Sequence, residues 1–256
     1  MGSGCSCIAD SRNSSNEITT MELQKNPRKT VSTIFEESNK ETLLIDQVID
    51  TLGKGNYEGE KDPWGNIHGK GMFFWEDGTK YIGDWKQNTM DGVGRLVKPN
   101  GEVYMGEWKQ GMKHGEGVLS QGSKVKYEGS WAYDSKEGFG SETWGKHAWF
   151  IGHFRRNKKY GQGSLFWEDG SEYKGEFKNN MMHGSGELTW SDGRYYKGEW
   201  QCNKMTGKGL FKWPDGSQYE GKYYQNKKHG VGKFKCKDGT VYSGYWINGK
   251  LVEQKE

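Results

Sequence analysis

The chain has 256 residues, a formal net charge of +3 and 28% charged side chains. Leu, Ile, Val and Phe supply only about 15% of it, a level that accompanies disorder when net charge is high. Here the net charge is small and aromatics reach 14%, so the composition points to a folded chain whose apolar surface comes from Trp, Tyr and Phe. No apolar run approaches the roughly 18 residues of a membrane-spanning helix, and Met1–Asn16 has no secretory hydrophobic region. Four cysteines (Cys5, Cys7, Cys202, Cys236) are too few for a disulfide scaffold, so a reducing, cytosolic compartment is expected.

Residues 1–37 are polar and rich in Ser, Thr and Asn, without periodicity, and are expected to be disordered. They open MGSGCSC. Gly2 and Ser6 fit the N-myristoylation pattern. One myristoyl chain holds a membrane only marginally, and a thioester-linked palmitoyl group on Cys5, Cys7 or both supplies the second signal that stable attachment needs. Cys5 and Cys7 are too close in sequence for a disulfide and have no histidine nearby, so neither a bridge nor a metal site is expected there. Arg28-Lys-Thr30-Val-Ser32 is a weak phosphorylation match that adds negative charge behind the anchor.

Residues 38–53 read SNKETLLIDQVIDTLG. Ser38 and Glu41 have capping-box spacing, Leu44, Ile45, Val48, Ile49 and Leu52 share a helical face, and Gly53 suits a stop. A short amphipathic helix is predicted that caps the exposed end of the next element, the alternative being a partner-binding or self-associating helix.

From Tyr57 the chain repeats. Tyr81, Tyr104, Tyr127, Phe150, Tyr173, Tyr196, Tyr219 and Tyr242 are each 23 residues apart, and glycines recur at three fixed slots per unit. Residues 54–256 thus hold eight full units and a terminal half unit. The pattern, roughly Y-x-G-x-W, a loop, then H-G-x-G, resembles the MORN (membrane occupation and recognition nexus) repeat family. The resemblance implies an elongated antiparallel sheet with one hairpin per repeat. The residues predict the same. In Tyr104-Met-Gly-Glu-Trp108, Tyr, Gly and Trp share one strand face, and Gly115-Glu-Gly117-Val-Leu119 runs back with the same period. Glycines on that face leave hollows that rings cover. Asp-Gly pairs (Asp77-Gly78, Asp169-Gly170, Asp192-Gly193, Asp215-Gly216, Asp238-Gly239) read as hairpin turns through positive φ at Gly and, less readily, Asp. The expected fold is an all-β, twisted meander of about 17 strands, roughly 80 Å long. Its burial is expected from first-strand aromatics and from second-strand Trp75, Trp144, Trp167, Trp190 and Trp213. The irregular fourth and fifth units, with Phe150, Phe154 and Tyr160 in the Tyr, Trp and His slots, read as a bend, a partner site or neutral drift, drift being favoured.

An enzyme needs converging polar groups, and repetition spreads them out. His68, His114, His183 and His229 share one slot, but the nearest pairs are two repeats apart, about 19 Å, far beyond a shared zinc ion. No metal or other cofactor is expected. Cys202 and Cys236 lack a His–Asp arrangement, and Glu107 and Glu199 of the G-E-W triplets read as solvated. Similar repeats accompany catalytic domains elsewhere, but the ladder here runs almost to Glu256, so no enzyme is expected. The basic excess is mild and interleaved, which excludes a nucleic-acid stripe. Its densest clusters, Arg155-Arg156-Asn-Lys158-Lys159 and Lys227-Lys228, are solvated tips or contacts to anionic lipid.

The functional expectation is a non-enzymatic scaffold held by acylation on the cytosolic face of a membrane, presenting the ladder to unidentified proteins. The family resemblance implies roles at plasma membrane, cortex, cytoskeleton or cilium and allows a homodimer. The alternatives are direct phosphoinositide or anionic-lipid binding, or a regulatory subunit of a separate enzyme.

Overall fold

The computed structural model describes residues 57–254, apart from 123 and 145. The predicted tail, its acylation motif and the helix over 38–53 lie outside the described residues. The strands are β1 (Tyr57–Lys61), β2 (Ile67–Phe74), β3 (Lys80–Lys86), β4 (Thr89–Val97), β5 (Glu102–Lys109), β6 (Met112–Gln121), β7 (Lys124–Ala132), β8 (Ser135–Trp144) and β9 (Ala148–Arg155). They continue as β10 (Lys158–Phe166), β11 (Glu172–Lys178), β12 (Met181–Thr189), β13 (Tyr195–Gln201), β14 (Lys204–Lys212), β15 (Gln218–Tyr224), β16 (Lys227–Lys235), β17 (Val241–Ile247) and β18 (Lys250–Gln254). Each pairs antiparallel with the next, in one open meander. The strand count is 18 rather than about 17, because β18 completes the half unit begun at Tyr242. Leu251 makes that possible, pairing with Trp246 and packing on the core.

The register aligns one glycine from each of β1–β17 in a row across the sheet; Gly94, Gly106, Gly117 and Gly129 are successive members. Over this row lie the tyrosines. A Cβ placed on Gly106 or Gly117 would come within 2.8 or 2.3 Å of the Tyr104 hydroxyl. The ring thus fills the space that two missing side chains leave, and its hydroxyl donates to the Glu107 carbonyl at 3.1 Å. Trp108 stands edge-on to Tyr104 (5.0 Å between ring centres) and to Tyr81 of the preceding unit (5.4 Å), a favourable aromatic geometry. Its indole N–H reaches back to the Gly94 carbonyl at 3.1 Å. Each unit therefore completes the core of its neighbour, the nearest-neighbour coupling of a solenoid. Among the units that have a preceding neighbour, three depart from this. Phe154 and Phe177 keep the ring contacts but have no N–H to donate. Tyr223 buries a hydroxyl that has no partner.

The expected second-strand tryptophans are placed differently. Trp75, Trp167, Trp190 and Trp213 lie just beyond their strands and open the turns; the Trp75 carbonyl accepts from Gly78 N–H and its N–H donates to Thr79, both at 2.9 Å. They are half-buried, whereas the fully buried rings are the first-strand Tyr and Phe150. Trp144 lies within β8 and is 37% exposed.

The turn prediction also needs correction. In the Asp-Gly loops only glycine takes positive φ, 86° at Gly78. Asp77 instead accepts Thr79 N–H on its carboxylate at 2.8 Å. This is a three-residue loop with a left-handed glycine, not a paired left-handed turn. The turns with positive φ at both central residues join the two strands within a unit, as at Gln87-Asn88 (49° and 62°) and Cys202-Asn203 (49° and 64°). Asn tolerates that conformation, and here it also links units. Asn203 donates its N–H to the Met182 carbonyl (3.0 Å) and accepts Met182 N–H on Oδ1 (2.8 Å). Asn180 does the same with Lys159, and Asn226 with Met205.

Candidate interaction surface

The sheet has two unlike faces. One carries the aromatic rows and is closed by a pad of side chains over the rings. Met90, Met182 and Met205 occupy this pad in some units, and Lys113, Lys136, Lys159 and Lys228 occupy it in others. Lys228 sits among Phe234 (4.2 Å from the ring centre), Trp246 (4.7 Å), Trp213 (5.1 Å) and Tyr219 (5.2 Å), a cation held against aromatic faces. Burial lowers its pKa. Lys159 lies over Trp144 (4.3 Å) and Phe150 (5.3 Å), 3.5 Å from Glu142. Burial lowers its pKa too, partly opposed by Glu142. Glu142 stands where Leu119 and Leu165 stand in the adjoining units and also pairs with Lys136. The irregular fourth unit therefore carries an ionic triad inside an otherwise apolar row. Its β8 pairs with β9 of the next unit without a shift in register, whereas β7 pairs with β6 of the preceding unit with one irregularity, at Leu119/Ser120.

Of the basic side chains singled out from the sequence, Arg155, Arg156 and Lys158 are exposed at the β9–β10 tip, with Arg155 over the Tyr160 ring at 5.3 Å. Lys227 is exposed at the start of β16. Six strand spacings, about 29 Å, separate the two clusters, so the structure does not bring them together. Lys159 and Lys228 point into the aromatic pad rather than outward. Gly2, Cys5 and Cys7 lie outside the described residues.

The opposite face is open. On it the G-E-W acids have a role that the solvated reading missed. Beside each sits a bulge formed by the second glycine slot, where Gly115, Gly184 and Gly207 take φ of 56°, 58° and 55°. Such a bulge leaves an N–H unpaired by the ladder. Glu107 accepts it from Glu116 (3.0 Å), Glu176 from Ser185 (2.9 Å), Glu199 from Lys208 (2.9 Å) and Asp84 from Val93 (2.9 Å). A carboxyl immediately after a glycine-row position was the available signal. The histidines stand in the same bulges, in four of the eight units. His114 packs on Tyr133 (4.8 Å), and His229 on Tyr224 (5.8 Å). Burial, with Lys178 nearby, lowers the His183 pKa. Among the described residues no group of three or more His, Cys, Asp or Glu is placed to hold a metal ion.

The open face forms a groove over the C-terminal units. One stretch, about 740 Å³, is lined by Lys208, Leu210, Glu220, Lys222, Val231 and Lys233, with glycine-row backbone between them. The adjoining stretch, about 490 Å³, holds Lys174, Glu187, Lys197 and Glu199. There Glu187 pairs with Lys197 at 2.7 Å and accepts the Tyr195 hydroxyl at 2.8 Å, and both hold its carboxyl below the usual range. Burial and Glu187 together push Tyr195 up to about 12.

A single-layer sheet of tandem hairpins, each finishing its neighbour's core, defines a solenoid-type repeat protein. The sequence profile of the MORN repeat matches residues 64–80, 81–103, 104–123, 127–148, 150–172, 173–193, 196–218 and 219–241, about two thirds of the chain. The chain belongs to the MORN repeat family, whose repeats are commonly protein- or membrane-interaction modules and generally non-enzymatic. No curated protein matches it. Among solved structures it is similar to the SAS-4 (dCPAP) TCP domain of Drosophila melanogaster, in complex with a proline-rich motif of Ana2 (dSTIL). That likeness has 9% identity, covers 77% of this chain and 99% of that one, and has a TM-score of 0.29. It is also similar to the wild-type TCP10 domain of Danio rerio CPAP, with 11% identity, 77% and 93% coverage, and a TM-score of 0.28. Likenesses this low carry no argument about this chain.

Proposed function

We propose that this protein is a non-enzymatic scaffold, anchored by acyl chains at Gly2, Cys5 and Cys7 on the cytosolic face of a membrane, with the open face of the ladder holding a protein partner. The observation that carries this is the groove itself: an exposed, chemically varied surface built on a core that is complete without it. The family's common use as an interaction module supports it, as does the MGSGCSC opening, which matches a two-signal anchor. The membrane is the plasma, cortical or ciliary membrane. A second reading, direct contact of the ladder with anionic lipid, is favoured by the exposed Arg155, Arg156 and Lys158 at one tip.

Fractionation of cells expressing the full chain tests the anchor. Gly2→Ala is expected to move the protein from the membrane to the soluble fraction, and the joint Cys5→Ser, Cys7→Ser variant to leave it only weakly attached. If both stay as membrane-bound as the parent, acylation is not the anchor. If Arg155, Arg156 and Lys158 changed to Gln then release them, the second reading takes its place.

A further inference from the structure

The groove contains an electrostatic conflict that the fold does not need. Lys208 on β14 is directly opposite Lys222 on β15. Like charges directly opposite destabilise a sheet. The equivalent pairs elsewhere are Lys70 with Asp84, Val93 with Glu107, Glu116 with Ser130, Phe139 with His153, Gln162 with Glu176, Ser185 with Glu199 and Val231 with Tyr245. None of these joins two like charges.

Lys222 also stands where Asp84, Glu107, Glu176 and Glu199 accept a bulge N–H. An ammonium has no lone pair to accept with, so Lys222 cannot serve the Val231 N–H as those acids serve theirs. Four units carry an accepting carboxylate at this position and two carry Ser130 and His153, whereas Lys222 puts an ammonium there. Lys233 lies on the neighbouring strand, opposite Glu220 and Ser243. All three lysines are exposed. Among the described residues, none of the three is in an ion pair, whereas Lys197 further along the groove is paired with Glu187. Between the lysines the floor is apolar, from Leu210 and the 54%-exposed Val231.

From this juxtaposition we infer that the groove over β14–β17 binds an extended, acidic segment of a partner protein. Its carboxylates pair with Lys208, Lys222 and Lys233, and an apolar side chain lies on Leu210 and Val231. The inference rests on the scaffold reading above and names the partner's chemistry. A peptide is favoured over a membrane surface for two reasons. The cations line a groove floor rather than a protruding tip, and Glu220 among them suits a peptide's N–H groups while repelling a polyphosphate headgroup.

The test uses the full chain, purified without acylation, and fluorescence anisotropy of a labelled peptide in which glutamates alternate with serines around one leucine. Binding is expected, weakening with salt and lost when the glutamates are replaced by glutamine. Lys208→Gln with Lys222→Glu is expected to weaken it about tenfold or more, the scale of hydrogen bonds to charged groups. The same substitution at Lys222 supplies the missing acceptor for Val231, so thermal stability should rise while binding falls. Arg155→Gln with Lys158→Gln, at the distant tip, should change neither. Equal binding of the glutamine peptide, or undiminished binding by the Lys208 and Lys222 variant, overturns the inference. So does a chain that ignores the peptide but loses, in that variant, affinity for phosphatidylcholine vesicles containing phosphatidylserine; the site is then a lipid site. No membrane is needed to score the peptide, so failure here leaves the anchoring test untouched.

Discussion

Gly186→Ala is expected to destabilise the ladder by about 3 kcal/mol or more, the upper end of what overpacking a core costs. The added methyl carbon would lie 2.3 Å from the Tyr173 hydroxyl and 2.5 Å from ring carbon Cζ. Tyr173 is fully buried, so its ring has no free volume to move into. Moving it breaks the 3.0 Å bond to the Glu176 carbonyl and the edge-on contact with Trp200. Trp200 in turn donates to the Gly186 carbonyl at 3.2 Å, so one methyl disturbs both neighbouring units. Gly216→Ala is the control. Nothing lies within 4 Å of its added carbon, and only the φ of 87° is unfavourable, worth about 1–2 kcal/mol. Urea unfolding followed by tryptophan fluorescence compares the two. Because coupling is between neighbours, hydrogen exchange in Gly186→Ala should accelerate first in β11–β13 while β3–β6 keep their protection. Equal costs for the two glycines would show that the rings do not depend on bare backbone.

Alkali is expected to unfold the ladder steeply. Tyr81, Tyr104, Tyr127, Tyr173, Tyr196 and Tyr219 are at most 1% exposed. Each hydroxyl donates to the carbonyl three residues on. A phenolate cannot donate, and burial opposes its charge. Burial pushes Tyr219 up to about 12 and the other five higher still, with nearby carboxylates adding to the effect at those five. The unfolded value is about 10, so the folded state keeps protons that the unfolded chain releases. The stabilisation is fully present below pH 10 and is lost as pH rises through the folded values. Each tyrosine contributes a slope of about 1.4 kcal/mol per pH unit in that window. Six acting together exceed the whole stability of an ordinary domain, about 5–15 kcal/mol, within one to two units. Phenolate absorbance and circular dichroism should therefore show a late, cooperative step in which ionisation and loss of β-structure coincide. Gradual ionisation of all tyrosines with the sheet intact would contradict the seat geometry.

Much of this architecture is written in the sequence because one period repeats. The step from Tyr104 to Tyr127, and the glycines two residues on, imply strand faces and ring-over-glycine packing without any structure. The turns were harder. Asp77-Gly78 has the residue types of a left-handed pair, yet Asp works there through its carboxylate, and the left-handed pairs fall on unremarkable dipeptides such as Cys202-Asn203. Only the recurrence of Asn at the second position (Asn88, Asn157, Asn180, Asn203, Asn226) marks them. Strand alternation places Glu107 outward correctly, but its partner is a bulge N–H that a regular strand would not have. The last strand lacks the glycine and aromatic signals and is held by Leu251. The opposition of Lys208 and Lys222 depends on inter-unit register, which sets Gly209 opposite Gly221, so composition hides it.

The central claim is that the N-terminus tethers and the ladder selects. The most direct test is proximity labelling with a C-terminal tag, comparing the full chain with its first 37 residues alone on the same membrane. The account predicts that the full chain labels a distinct protein set, which shrinks when Lys208 and Lys222 are both changed to Glu. Identical sets from the two chains would mean that the ladder selects nothing, and the account would be wrong.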